Sequence, residues 1–120
     1  MARILIVDDS LLMRLKVRSI LEARGHDVIE ASGGREGLLK MKKENPECIV
    51  LDLLMPDLNG TDVVRHMNKM QIDIPVIICT ADIQETTREE CIDLGVRVFL
   101  NKPPNRLDLL DAVDTFSLNP

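Results

Sequence analysis

Tryptophan and tyrosine are absent from this chain and phenylalanine occurs only twice, so little is available to stack on unpaired nucleobases. A basic excess is missing as well. Fifteen Lys and Arg residues stand against twenty Asp and Glu, a formal net charge of −5, whereas a duplex-binding face needs cations to neutralise phosphates. Direct nucleic-acid binding is therefore set aside. The cysteines Cys48, Cys79 and Cys91 are odd in number and form no CxxC pair. That fits a reducing compartment and neither a disulfide framework nor a zinc knuckle. Long apolar runs are also lacking: after Arg3 only Ile4 to Val7 precede Asp8 and Asp9. This is too short for a signal-peptide core, and no run approaches the ~18 residues of a membrane span. The expectation is a cytoplasmic protein without membrane contact.

What is present suits one ordinary globular domain over residues 1–120, with 45% apolar and 29% charged residues. Three short, fully apolar runs, Ile4–Val7, Cys48–Leu51 and Val76–Cys79, have the look of strands buried on both faces. Val28–Ala31 and Val96–Leu100 each carry a charge inside an apolar stretch, which suits strands covered on one side less fully. Between them run stripes with helical spacing: Met13, Val17, Ile20 and Leu21; Leu38 and Met41; Val63, Val64 and Met67; Leu109, Val113 and Phe116. Ile83 to Leu94 is the weakest helix, with a thin apolar face around a polar centre. His26 and His66 have no ligand partner at metal spacing and read as surface or helix-end residues, and the methionines read as packing. Strand and helix thus alternate five times, which implies a parallel sheet with helices on both faces. Placing the mixed strands at the edges predicts the order 2-1-3-4-5, a flavodoxin-like three-layer sandwich with its ligand site beyond the C-terminal strand ends.

The residues at those ends carry the chemistry. The first strand finishes at Asp8-Asp9, the third at Asp52, the fourth at Thr80-Ala81 and the fifth at Lys102-Pro103. Taken singly each is ordinary; Asp8-Asp9, for instance, reads as a loop pair with Ser10 capping a helix. Their coincidence at one sheet end argues for a site. Two carboxylates ~4 Å apart repel by roughly 4 kcal/mol at an effective dielectric near 20, so the cluster calls for a cation or a lysine. All-oxygen donors point to Mg²⁺ or Mn²⁺ and away from zinc. Metal, lysine and hydroxyl around a carboxylate make a site suited to phosphoryl transfer onto an aspartate.

From Arg3 to about Phe116 the chain resembles the receiver domain of two-component response regulators. The matching residues are Asp8-Asp9, Asp52 with Met55-Pro56 and Gly60, Thr80-Ala81, and Phe99 with Lys102-Pro103. The resemblance implies that Asp52 is the phosphoacceptor and that Asp8, Asp9, Asp52 and the backbone carbonyl of Leu54 hold Mg²⁺, for which Mn²⁺ substitutes. It implies that Thr80 and Lys102 contact the phosphoryl group, and that Thr80 and Phe99 switch the face made by the fourth helix, fifth strand and fifth helix. It further implies a cis Lys102-Pro103 bond. The partners implied are a sensor histidine kinase or histidine phosphotransfer protein upstream, and an effector protein or fused output domain downstream. The chain is then a monomer or a phosphorylation-linked dimer, and either a stand-alone regulator or the N-terminal domain of a longer one. It is not an enzyme in the usual sense but a phosphoacceptor that assists its own phosphorylation and dephosphorylation.

Leu54 departs from common receiver patterns, because an apolar side chain there cannot orient an attacking water. Asp82 is an acidic residue at a position that in the family tunes the lifetime of the aspartyl phosphate. Two alternatives stand beside this reading. One is a phosphorylation-independent interaction module of the same fold. The other is a haloacid-dehalogenase-like phosphatase, which Leu54 disfavours by occupying the place of its second acid.

Overall fold

The structure is a computed structural model that describes residues 2–81 and 83–117. Its elements run β1 (Arg3–Val7), α1 (Leu11–Ala23), β2 (Asp27–Ala31), α2 (Gly34–Glu44), β3 (Cys48–Leu51), α3 (Gly60–Lys69), β4 (Val76–Thr80), α4 (Glu85–Asp93), β5 (Val98–Asn101) and α5 (Arg106–Ser117). The five strands are parallel and ordered β2-β1-β3-β4-β5, the flavodoxin-like arrangement expected. β3 and β4 are buried at every residue, whereas β2 and β5 are only partly covered. Central strands bury both faces and so are apolar throughout.

The sheet divides the core. On one side Leu5, Val7, Ile49, Leu51 and Ile78 meet Met41 of α2, Val63, Val64 and Met67 of α3, and Cys91 of α4. On the other, Ile4, Ile6, Val50 and Ile77 meet Val17 and Leu21 of α1 and Leu109 and Val113 of α5. The helical stripes read from the sequence are these buried faces. α4 buries only Cys91 among its described side chains, in line with its thin stripe. Ser10 caps α1 by accepting from the Met13 amide, and Asn105 accepts from Leu107 and Asp108 at the start of α5.

Several expectations need correction. β5 begins at Val98, two residues later than the apolar run, because the chain leaves α4 through Gly95 at φ +108° and meets the β4 ladder only at Val98. Arg97 therefore lies outside the strand, where it donates to the carbonyls of Ile92 and Val96. His26 stands at the end of α1, where its amide donates to Leu21, but it is buried and not on the surface: its Nδ1 accepts from the Ala2 amide at 3.1 Å. Met70 is exposed, an exception among the described methionines, which otherwise pack. Asp82 lies outside the described residues.

Candidate functional site

The site is made of the rungs that close the ladder at the C-terminal ends of the central strands. The Asp8 amide donates to Ala31, the Asp52 amide to Val7 and the Lys102 amide to Thr80, at 3.1, 2.9 and 2.9 Å. Strand pairing thus continues to the site residues themselves and fixes their backbones. Asp8, Asp9 and Asp52 each place a carboxylate oxygen within 4.8 Å of the others. Asp8 and Asp52 are buried and Asp9 is exposed. Lys102 joins them, its ammonium 2.9 Å from Asp8 Oδ2 and 3.1 Å from Asp52 Oδ2. Lys102-Pro103 is a cis bond.

Charge in this pocket is balanced by competing effects. Burial pushes the Asp52 carboxyl above its ordinary pKa and Asp8 adds to the rise, with the Lys102 hydrogen bond working against both. Burial works against charge on Lys102 too, but hydrogen bonds to Asp8 and Asp52 outweigh it and raise its pKa. The donor set is therefore hard, anionic and oxygen-only. It fits a divalent cation of the Mg²⁺ type, which binds through one or two carboxylates and keeps water or phosphate oxygens in its remaining positions.

The remaining predicted positions surround this cluster. Thr80 is the last residue of β4 and is buried at 2% exposure. Leu54, two residues past Asp52, is 70% exposed. Phe99 is half-buried, with the Arg88 guanidinium of α4 lying 4.7 Å over its ring. Burial pushes the thiols of Cys48 and Cys79 up to about 12, which leaves them packing residues without thiolate chemistry.

Two residues near the site, Arg14 and Asp57, went unnoticed in the sequence. Arg14 donates to the Asp8 carbonyl and is itself held by Glu30 of β2. Glu30 is the charge that marked its strand as an edge. Burial opposes its ionisation, yet hydrogen bonds from Arg18 and Arg14 outweigh that and lower its pKa. Asp57, in the loop between β3 and α3, accepts from the Gly34 and Arg35 amides and so caps α2, whose N-cap Gly33 has no side chain to do so. The same loop brings Gly60 against the backbone of Asp52, where a Cβ would stand 2.5 Å from the Asp52 carbonyl oxygen. Only glycine fits that approach. An acidic residue 23 positions from the helix it caps leaves no local signal.

The family model described as the response regulator receiver domain matches residues 4–114. Protein PilH of Pseudomonas aeruginosa is 39% identical over 116 residues, covering 95% of this chain and 96% of its own. The chemotaxis protein CheY of Thermotoga maritima is 33% identical over 116 residues, with 96% and 97% covered. Among solved structures, the CheX-CheY-BeF3-Mg²⁺ complex of Borrelia burgdorferi superposes with a TM-score of 0.88 at 27% identity, covering 98% of this chain and 90% of that one. No helix among the described residues is long and apolar enough to cross a membrane. Strand order, strand-end residues and relatives agree, and this chain belongs to the response regulator receiver domain family.

Proposed function

We propose that the chain is a phosphorylatable receiver in which Asp52 takes a phosphoryl group from a phosphohistidine on a sensor kinase or phosphotransfer protein. The observation that supports this best is the single ammonium of Lys102 shared by Asp8 and Asp52 in an oxygen-only pocket. A carboxylate oxygen of Asp52 attacks phosphorus while the P–N bond to the donor imidazole breaks. The bonding pair stays on nitrogen and an acyl phosphate forms. Asp8, Asp9, Asp52 and the Leu54 carbonyl are the groups that would hold Mg²⁺, which supplies neutralisation of the phosphoryl oxygens. The Borrelia relative, crystallised with BeF3 and Mg²⁺, supports that assignment. Lys102 balances phosphoryl charge and Thr80 donates a hydrogen bond to a phosphoryl oxygen.

Docking of the donor has surface to use. Leu11, Leu12 and Leu15 are 61%, 64% and 51% exposed. They share one face of α1, the helix that starts just past Asp8-Asp9. On the output side, Thr80 is drawn toward the phosphoryl group, Phe99 moves inward, and the α4–β5–α5 face changes. The light anchoring of α4 through Cys91 supports this, since weakly packed elements are the ones that shift.

Mass spectrometry after treatment with acetyl phosphate and Mg²⁺ tests the chemistry. Wild type is expected to carry one phosphoryl group that Asp52→Ala lacks. An adduct on both proteins, or on neither, overturns the proposal.

A further inference from the structure

We infer that the groove between α2 and α3 is a docking site for an acidic amphipathic helix of a partner protein. The groove encloses about 310 Å³ and is floored by Leu38 and Leu39 of α2, Leu58 of the β3–α3 loop and Met70 beyond α3. Leu39 is 68% exposed and Met70 37%, so two large apolar side chains stand open to water where their burial would be favourable. Its rim carries two cations, Arg35 and Lys42, beside His66, and among the described residues no carboxylate lines it.

That polarity runs against the rest of the molecule, whose net charge is −5. Four other concavities on the described surface each include a carboxylate, from Asp27, Glu47, Asp73 or Glu90. On the same two helices Lys40 is matched with Glu36 and Arg65 with Asp62 and Glu90. Among the described residues, the side chains of Arg35 and Lys42 make no ion pair.

The occupant follows from shape and charge together. A furrow between two neighbouring helices takes a third helix, which would lay an i, i+3, i+4, i+7 apolar stripe on the leucines and methionine. No free strand edge lines the groove to receive an extended peptide. Acidic residues flanking that stripe would meet Arg35 and Lys42, giving complementarity that speeds encounter and sets orientation. A second copy of this chain is disfavoured, because a two-fold contact on this face would set the same cations against one another.

The test uses the full ¹⁵N-labelled chain and two synthetic helical peptides with one shared leucine stripe. One carries glutamate on its polar face, the other lysine. The glutamate peptide is expected to shift the Leu38, Leu39, Leu58 and Met70 amides saturably. The double variant Arg35→Glu, Lys42→Glu is expected to weaken it by about tenfold and to favour the lysine peptide instead. Both substituted side chains are exposed, and an inverted preference is a result that misfolding would not produce. Equal binding of both peptides, or shifts centred elsewhere, such as on the α1 leucines, overturns the inference. So does absence of binding, or a dimer in sedimentation that Leu39→Glu dissolves.

Discussion

Arg14 donates a 2.6 Å hydrogen bond from its guanidinium to the main-chain carbonyl of Asp8. Glu30 holds the same guanidinium through Nε at 2.8 Å, so a carboxylate on the edge strand braces the backbone of a pocket acid. Arg14→Met is expected to cost about 2 kcal/mol, the worth of a partly buried hydrogen bond to a charged group. It should also speed hydrogen exchange at the Ser10 amide, which donates to Asp8 Oδ1 at 2.8 Å. Unchanged exchange at Ser10 would show that the brace is idle.

Lys102 is the counter-charge to two buried carboxylates. Lys102→Met is expected to destabilise the metal-free protein by about 3 kcal/mol, because it leaves them facing each other unpaired. Added Mg²⁺ should recover much of the loss. Asp52→Asn acts the other way. The folded pKa of Asp52 is raised, so its ionisation costs stability, a cost absent below the unfolded pKa and fully present above the folded one. The variant should gain stability at neutral pH and none in acid. Urea denaturation at both pH values, with and without Mg²⁺, decides this.

His26 supplies a pH dependence of opposite sign. Burial lowers its pKa. Its Nδ1 accepts from Ala2, which puts the neutral proton on Nε2, a buried atom without a partner among the described residues. Protonation would turn a ring donor toward the Ala2 donor. With the folded pKa below the unfolded value, near 6.5 for histidine, the unfolded chain binds more protons between the two. Stability should therefore fall as pH drops below that value. His26→Gln should flatten the slope of thermal stability against pH, and an unaltered slope would assign the effect to other groups.

Gly60 packs against the backbone of Asp52. The Cβ of Gly60→Ala would lie 2.5 Å from the Asp52 carbonyl oxygen and 2.9 Å from Leu53 Cα, so the loop must move. A loss of about 2 kcal/mol is expected, typical of overpacking. Phosphorylation by acetyl phosphate should slow in step. A variant of full stability and rate would mean that the contact is slack.

Substitution of an exposed α1 leucine tests the proposed donor docking apart from the chemistry. Leu12→Asp should slow transfer from a phosphohistidine protein while leaving the acetyl phosphate rate unchanged. Equal slowing of both would place Leu12 in the pocket's chemistry.

The pattern of alternating elements was legible because burial on both faces demands unbroken apolar runs, as in β3 and β4, and one-sided helices demand stripes, as with Val17 and Leu21. Strand-end residues such as Asp8, Asp52 and Lys102 follow from the strands, since parallel topology sends all their C-terminal ends to one edge. Boundaries were less legible where two signals competed. The run from Val96 is apolar for packing beneath α4, and pairing starts only at Val98.

The order of its residues alone determined the layered fold of this protein and which acids share one edge, because periodicity and strand ends are short-range properties of the chain. Only the tertiary structure decided that one lysine reaches both Asp8 and Asp52, that Asp57 caps a helix begun 23 residues earlier, and that His26 is enclosed. Such contacts depend on where loops and side chains end up in space, and separation along the chain carries no trace of that distance.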